Sequence, residues 1–171
     1  MAEMLDEIDV RLLNELETDA DRPNVELARL VGLSPAATLH RVRRLKESGV
    51  IRRIGARLDS AAAGFTLQVY VMVTLARHDE AAERRFYAEV RGMDNVIAAD
   101  TVAGETDALL MIVARDVSEL QVVLSRLSTR GGAQRLITLL RLSEIKPASP
   151  LPLSVQRDAG RIKARRDVTN R

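Results

Sequence analysis

At 171 residues, with 46% apolar and 29% charged side chains, the chain is long enough for one globular domain or two small ones. It has no cysteine and only two histidines, which excludes disulfides, thiolate metal centres and a His-rich metal site and suits a reducing cytoplasm. The net charge of +2 hides a split: residues 1–28 hold nine acids against Arg11 and Arg22, net −7, and residues 29–57 hold eight bases against Glu47, net +7.

A local positive field of that kind steers a polyanion. Early acids (Glu3, Asp6, Glu7) break any signal-peptide pattern, and no apolar run nears the roughly 18 residues of a membrane span. A cytoplasmic protein without a membrane partner is expected.

The first helix is predicted from about Asp6 to Asp19, with Ile8, Leu12, Leu13 and Leu16 on one face. Asn24 is the expected N-cap of a short helix over Val25–Val31, which turns Leu27, Leu30 and Val31 inward and ends at Gly32. Ser34 caps a third helix with Pro35 at its first position, where a missing N–H does no harm. Its buried stripe is expected to be Leu39, Val42 and Leu45, and Gly49 ends it. VIRRIGARLD suits a strand, and LDSAAAGFT, residues 58–66, reads as a hinge.

The pattern then changes. LQVYVMVTLA (67–76), NVIAADTVA (95–103), DALLMIVAR (107–115) and QRLITLLRL (134–142) read as strands. DEAAERRFYAEV (79–90) reads as a helix, and Ser118 with Gln121 forms a capping box that opens another. The expectation is an α+β chain: a three-helix helix-turn-helix domain over 1–57, a hinge over 58–66, and a ferredoxin-like βαββαβ sandwich over 67–146. A tail over 147–171, with Pro147, Pro150 and Pro152 and an excess of arginine, follows as a short helix or a loose arm.

In a helix-turn-helix, the third helix enters the major groove of double-stranded DNA. Ala36 and Ala37 are small enough for close approach, His40 donates or accepts, and Arg41 and Arg44 are placed to reach guanine edges or phosphates. Arg43, Lys46, Arg52 and Arg53 suit phosphates, which position the protein without reading sequence. The competing reading is a solvated basic face on an ordinary helical bundle; turn, caps, small residues and charge segregation together favour DNA.

Over Leu5–Asp59 the chain resembles the Lrp/AsnC (feast/famine) regulators, and VAGETDALL looks like their effector-loop signature, with Gly104 and Asp107 three apart. The resemblance spans about residues 5–146. It implies an N-terminal helix-turn-helix hinged to an αβ-sandwich that forms dimers and higher assemblies and in many members binds an amino acid between subunits. The family often has an aromatic where Thr106 stands and a tyrosine where Ala108 stands.

By its residues alone, GETD is a hairpin turn. As an effector site, the backbone near Gly104 approaches the ligand and Asp107 meets its ammonium. Glu105 and Thr106 then shape the side-chain end, and Thr138 from a neighbouring subunit is a further polar contact.

The expected function is therefore a DNA-binding transcriptional regulator answering an amino acid or related metabolite. The alternative is a sensing and assembly protein whose helix-turn-helix does not bind DNA specifically. No catalytic residue, metal or cofactor is expected: nucleotide, phosphate-loop, serine-hydrolase and zinc motifs are absent, and His78 reads as a surface corner. An RNA-binding sheet would need stacking aromatics, and the predicted strands offer only Tyr70.

Overall fold

The computed structural model describes residues 5–76 and 79–153. These fall into two compact units: the chain up to Ala56, rejoined from Lys146 onward, and Arg57–Ile145. The corner at His78 and the segment beyond Leu153 lie outside the described residues.

The first unit holds α1 (Glu7–Thr18), α2 (Asn24–Val31) and α3 (Pro35–Glu47). Asp6 caps α1 in a reciprocal box with Asp9, which satisfies donors that the first helical turn leaves orphaned. The helices close on Leu12, Leu13, Leu27, Val31, Val42 and Leu45, with Ile8, Leu16 and Ile51 at the margin. Gly32, at φ 74°, takes the left-handed conformation that turns α2 into α3.

Three local expectations are corrected. Asn24 does not cap α2: Pro23 stands at the cap position, and the Asn24 amide donates to Pro35 O at 2.9 Å, joining the starts of α2 and α3. Leu39 is not in the buried stripe: it is 41% exposed, and Thr38 is fully buried in its place. Burying Thr38 leaves no orphan, because its hydroxyl donates to Ser34 O at 3.1 Å. Residues 52–59 form no strand; a lone segment without a neighbour has nothing to satisfy its ladder bonds.

The chain returns to this unit after the second one. The Leu151 N–H donates to the Glu17 carboxylate at 3.1 and 3.2 Å, and Leu153 packs against the helical core.

The second unit begins with a compact turn: the Asp59 carboxylate accepts from Ala62 N at 2.7 Å. Its strands are β1 (Leu67–Leu75), β2 (Val96–Thr101), β3 (Ala108–Ala114) and β4 (Ala133–Leu140), and its helices are α4 (Glu80–Arg91) and α5 (Val117–Thr129). The sheet order is β2-β3-β1-β4 with every pair antiparallel, which is the ferredoxin-like arrangement expected from the βαββαβ order. The cap of α5 is Asp116, not Ser118: its carboxylate accepts from Glu119 N at 2.8 Å.

Alternation explains the layering. Val69, Val71, Val73 and Leu75 of β1 join Leu110 and Ile112 of β3 beneath Phe86 and Val90 of α4 and Val123 and Leu127 of α5. The other face carries Tyr70, Met72, Leu109, Met111, Ile137 and Leu139, which share register across β4, β1 and β3. Both helices of this unit, α4 and α5, pack on the first face.

Candidate nucleic-acid interface and effector loop

The direction in which α3 faces is set by its buried side, Thr38, Val42 and Leu45. At about 100° per residue, the opposite side presents Ala36, His40 and Arg43, all exposed. Ser34 caps the helix by accepting from Ala37 N at 3.2 Å. Ser34 and Pro35 are exposed, and Ala37 is half-buried. Lys46, Arg52 and Arg53 are exposed at and beyond the helix end.

Arg41 and Arg44 stand elsewhere. Both turn toward the start of α1. Arg41 reaches Asp6 at 2.7 Å and Asp9 at 2.8 Å, and Arg44 reaches Asp9 at 2.6 Å. Asp9 is 1% exposed, so a buried carboxylate is held by two guanidiniums. Burial tends to push the Asp6 carboxyl up, but the backbone hydrogen bond from Asp9 and the hydrogen bond and charge of Arg41 outweigh it and leave the pKa below its ordinary 3.8. The hydrogen bonds to Asp6, then Asp9, raise Arg41 in turn. A depressed carboxylate contributes stability in full above its unfolded value and loses it as the pH falls through its folded one.

The sequence carried a signal for this lock. Asp6 and Asp9 are the cap and third residue of α1, Arg41 and Arg44 are three apart on α3, and such a spacing places each pair on one side. Reading the charge split only as a field missed the pairing.

In the second unit, GETD closes the β2–β3 hairpin, with Val102 N donating to Asp107 O at 3.2 Å. Asp107 also ties the loop to β1: its N–H donates to Val73 O at 2.8 Å, and its carboxylate accepts from Leu75 N at 2.8 Å. The Thr106 hydroxyl donates to Val73 O at 2.7 Å. Gly104 and Glu105 are exposed at the tip. Gly104 has φ 143°, a conformation that side-chain-bearing residues rarely adopt, with nothing within 4 Å of where a Cβ would be.

Beside this loop lies a cavity of about 190 Å³, lined by Asp107, Glu83, Leu75, Phe86 and Tyr87 among others. Glu83, on α4, was not anticipated; it is separated from the loop by β2 in sequence. Thr138 sits on edge strand β4 opposite Val71, and it does not line this cavity.

The sequence matches the AsnC-type helix-turn-helix domain over residues 5–46 and the Lrp/AsnC ligand binding domain over residues 68–151. The chain belongs to the Lrp/AsnC family. Among its Lrp/AsnC relatives, the leucine-responsive regulatory protein of Rhizobium meliloti is 37% identical over 145 residues, covering 84% of this chain and 93% of that protein. The HTH-type transcriptional regulator AldR of Mycolicibacterium smegmatis is 37% identical over 148 residues, 86% of each. A solved Lrp/AsnC-like fold is that of a transcriptional regulator from Neisseria meningitidis in complex with L-Met (TM-score 0.79, 32% identity, 86% of this chain and 96% of that one). A feast or famine regulatory protein from M. tuberculosis complexed with L-methionine superposes with a TM-score of 0.77 at 28% identity, over 88% of this chain and 99% of that one.

Proposed function

We propose that this chain is a sequence-specific transcriptional regulator of the cytoplasm, without catalytic activity, that binds double-stranded DNA as a dimer or larger assembly and responds to an amino acid. The observation that carries the DNA reading is the outward face of α3: Ala36, His40 and Arg43 stand clear opposite the buried stripe. Ala36 leaves room for the helix to approach base edges, and Arg43 suits a guanine. Lys46, Arg52 and Arg53 suit phosphates. Arg41 and Arg44 act indirectly in this reading, by fixing the pose of α3 on α1.

The experiment is selection of a duplex from a random pool, followed by affinity against salt. The slope of log affinity against log salt is about −0.9 per phosphate neutralised. Replacing Arg52 and Arg53 together by alanine should flatten that slope by about 2 for each protomer engaged and leave the selected sequence unchanged. An unaltered slope removes both from the backbone contact, and failure to select any duplex removes the DNA reading.

Assembly is supported by the apolar sheet face opposite the helices, where Met72, Leu109 and Met111 are half-buried and Leu139 is exposed, since contiguous apolar surface of this kind marks association. The effector reading is supported by the cavity at Asp107. Its 190 Å³ falls below the roughly 300–1,000 Å³ of ordinary ligand pockets, which suits a small metabolite or a site completed by a second subunit. Asp107 and Glu83 suit an ammonium, and Gly104, Glu105 and Thr106 the adjoining rim; Thr138 takes part only if a neighbouring subunit brings it there. Asp107→Ala should remove any amino-acid-dependent shift in melting temperature across a panel of amino acids while sparing DNA affinity in their absence. A retained shift excludes Asp107 from the pocket.

A further inference from the structure

The DNA-facing side of α3 carries one feature that charge does not explain, a bulky apolar residue. We propose that Leu39 reads the C5-methyl group of a thymine in the major groove, an inference that rests on the DNA-binding reading above.

The geometry isolates Leu39. It is one residue, a turn of about 100°, beyond fully buried Thr38, and it is 41% exposed. Its neighbours on the helix surface are Ala36, three residues before, and Arg43, four after. Both are exposed members of the outward face. Ala36 is too short to screen it. A single exposed leucine on an ordinary surface needs no explanation, but this one stands between a small residue suited to close approach and an arginine suited to a base.

The chemistry of the groove selects the partner. Every base pair presents hydrogen-bond donors and acceptors along its major-groove edge, and the one apolar group there is the thymine methyl. Leu39 against that methyl removes apolar surface from water on both sides. Against an amino or carbonyl edge, it would strip water from a polar group and offer nothing in return. The side chain therefore favours thymine and rejects the other bases at one position of each half-site.

The test uses the full chain and the duplex it selects. Each thymine is replaced singly by deoxyuridine, which removes only the methyl. At one thymine per half-site, the wild-type chain should lose about three- to fivefold in affinity, the worth of one buried methyl. Leu39→Ala should bind the parent duplex correspondingly less well and show no further loss at that same position. Because Leu39 lies outside the packed stripe, the variant should keep the wild-type melting temperature, and Leu39→Met, which still offers apolar surface, should keep most of the deoxyuridine penalty. A variant Leu39→Ala with the same penalty as wild type at every thymine overturns the assignment, and so does a wild-type chain indifferent to every methyl. If the chain selects no duplex at all, the regulatory reading fails and this inference fails with it.

Discussion

Replacing Arg41 and Arg44 together by alanine should destabilise the helical unit by about 3–5 kcal/mol, the usual cost of leaving a buried charge without its partner. The carboxylate left behind is that of Asp9, 1% exposed, with both oxygens engaged by the two guanidiniums at 2.8 and 2.6 Å. Loss of DNA binding in this double variant is then a consequence of unfolding and says nothing about base contacts. A third substitution separates the two effects. Adding Asp9→Leu removes the stranded charge together with its bond to the Asp6 N–H, and the triple variant should recover part of the lost stability, the part owed to the uncompensated carboxylate. Chemical denaturation of the three proteins checks this. Equal stability of the double and triple variants would mean that Asp9 is satisfied without the arginines.

The second large effect is expected at Leu110. It lies on β3, fully buried, opposite Val71 of β1 and Ala99 of β2. Strands on both sides hold its backbone in place, so the space left by Leu110→Ala cannot close, and the cost should fall in the range of about 2–5 kcal/mol seen for such truncations. Leu110→Met keeps the volume and should cost less than about 1.5 kcal/mol. The chain forms two compact units, so the alanine variant should shift the unfolding of the αβ unit and leave that of the helical unit in place. Asp107 stands directly before this strand and Ala108 opens it, so any amino-acid response should fade at the lowered midpoint as well. Hydrogen exchange resolved by peptide reports both units at once.

The boundaries of most elements were legible in the residues. Runs of apolar and β-branched residues in LQVYVMVTL and ALLMIVA specify strands, and Gly32, Ser34 and Pro35 specify the turn between α2 and α3 by conformations that few other residues share. The misreadings have two physical origins: some are choices between neighbouring residues, and others concern partners distant in sequence. Hydropathy favours Leu39 over Thr38 for the core, because it does not register that Ser34 O can satisfy a threonine hydroxyl. Two overlapping capping patterns precede α5, D-x-x-E from Asp116 and S-x-x-Q from Ser118, and the one that begins directly after β3 is used. The mixture of apolar and arginine residues in VIRRIGARLD describes a segment able to pair, without saying whether a partner strand exists. At the candidate site, caps and small residues placed the outward face of α3, but the fate of Arg41 and Arg44 depended on acids more than thirty residues away, and Glu83 joins the effector cavity only through the packing of α4 against the sheet.

The return of the chain to its first unit has a mechanical consequence. The polypeptide leaves the helical unit after Ala56 and re-enters it at Lys146, where it is hooked by Leu151 on Glu17 and wedged by Leu153. The closing of the helical unit is thereby tied to residues that follow the whole second unit in the chain, and pulling Leu151 and Leu153 away strips Glu17 of an N–H donor and uncovers part of the helical core.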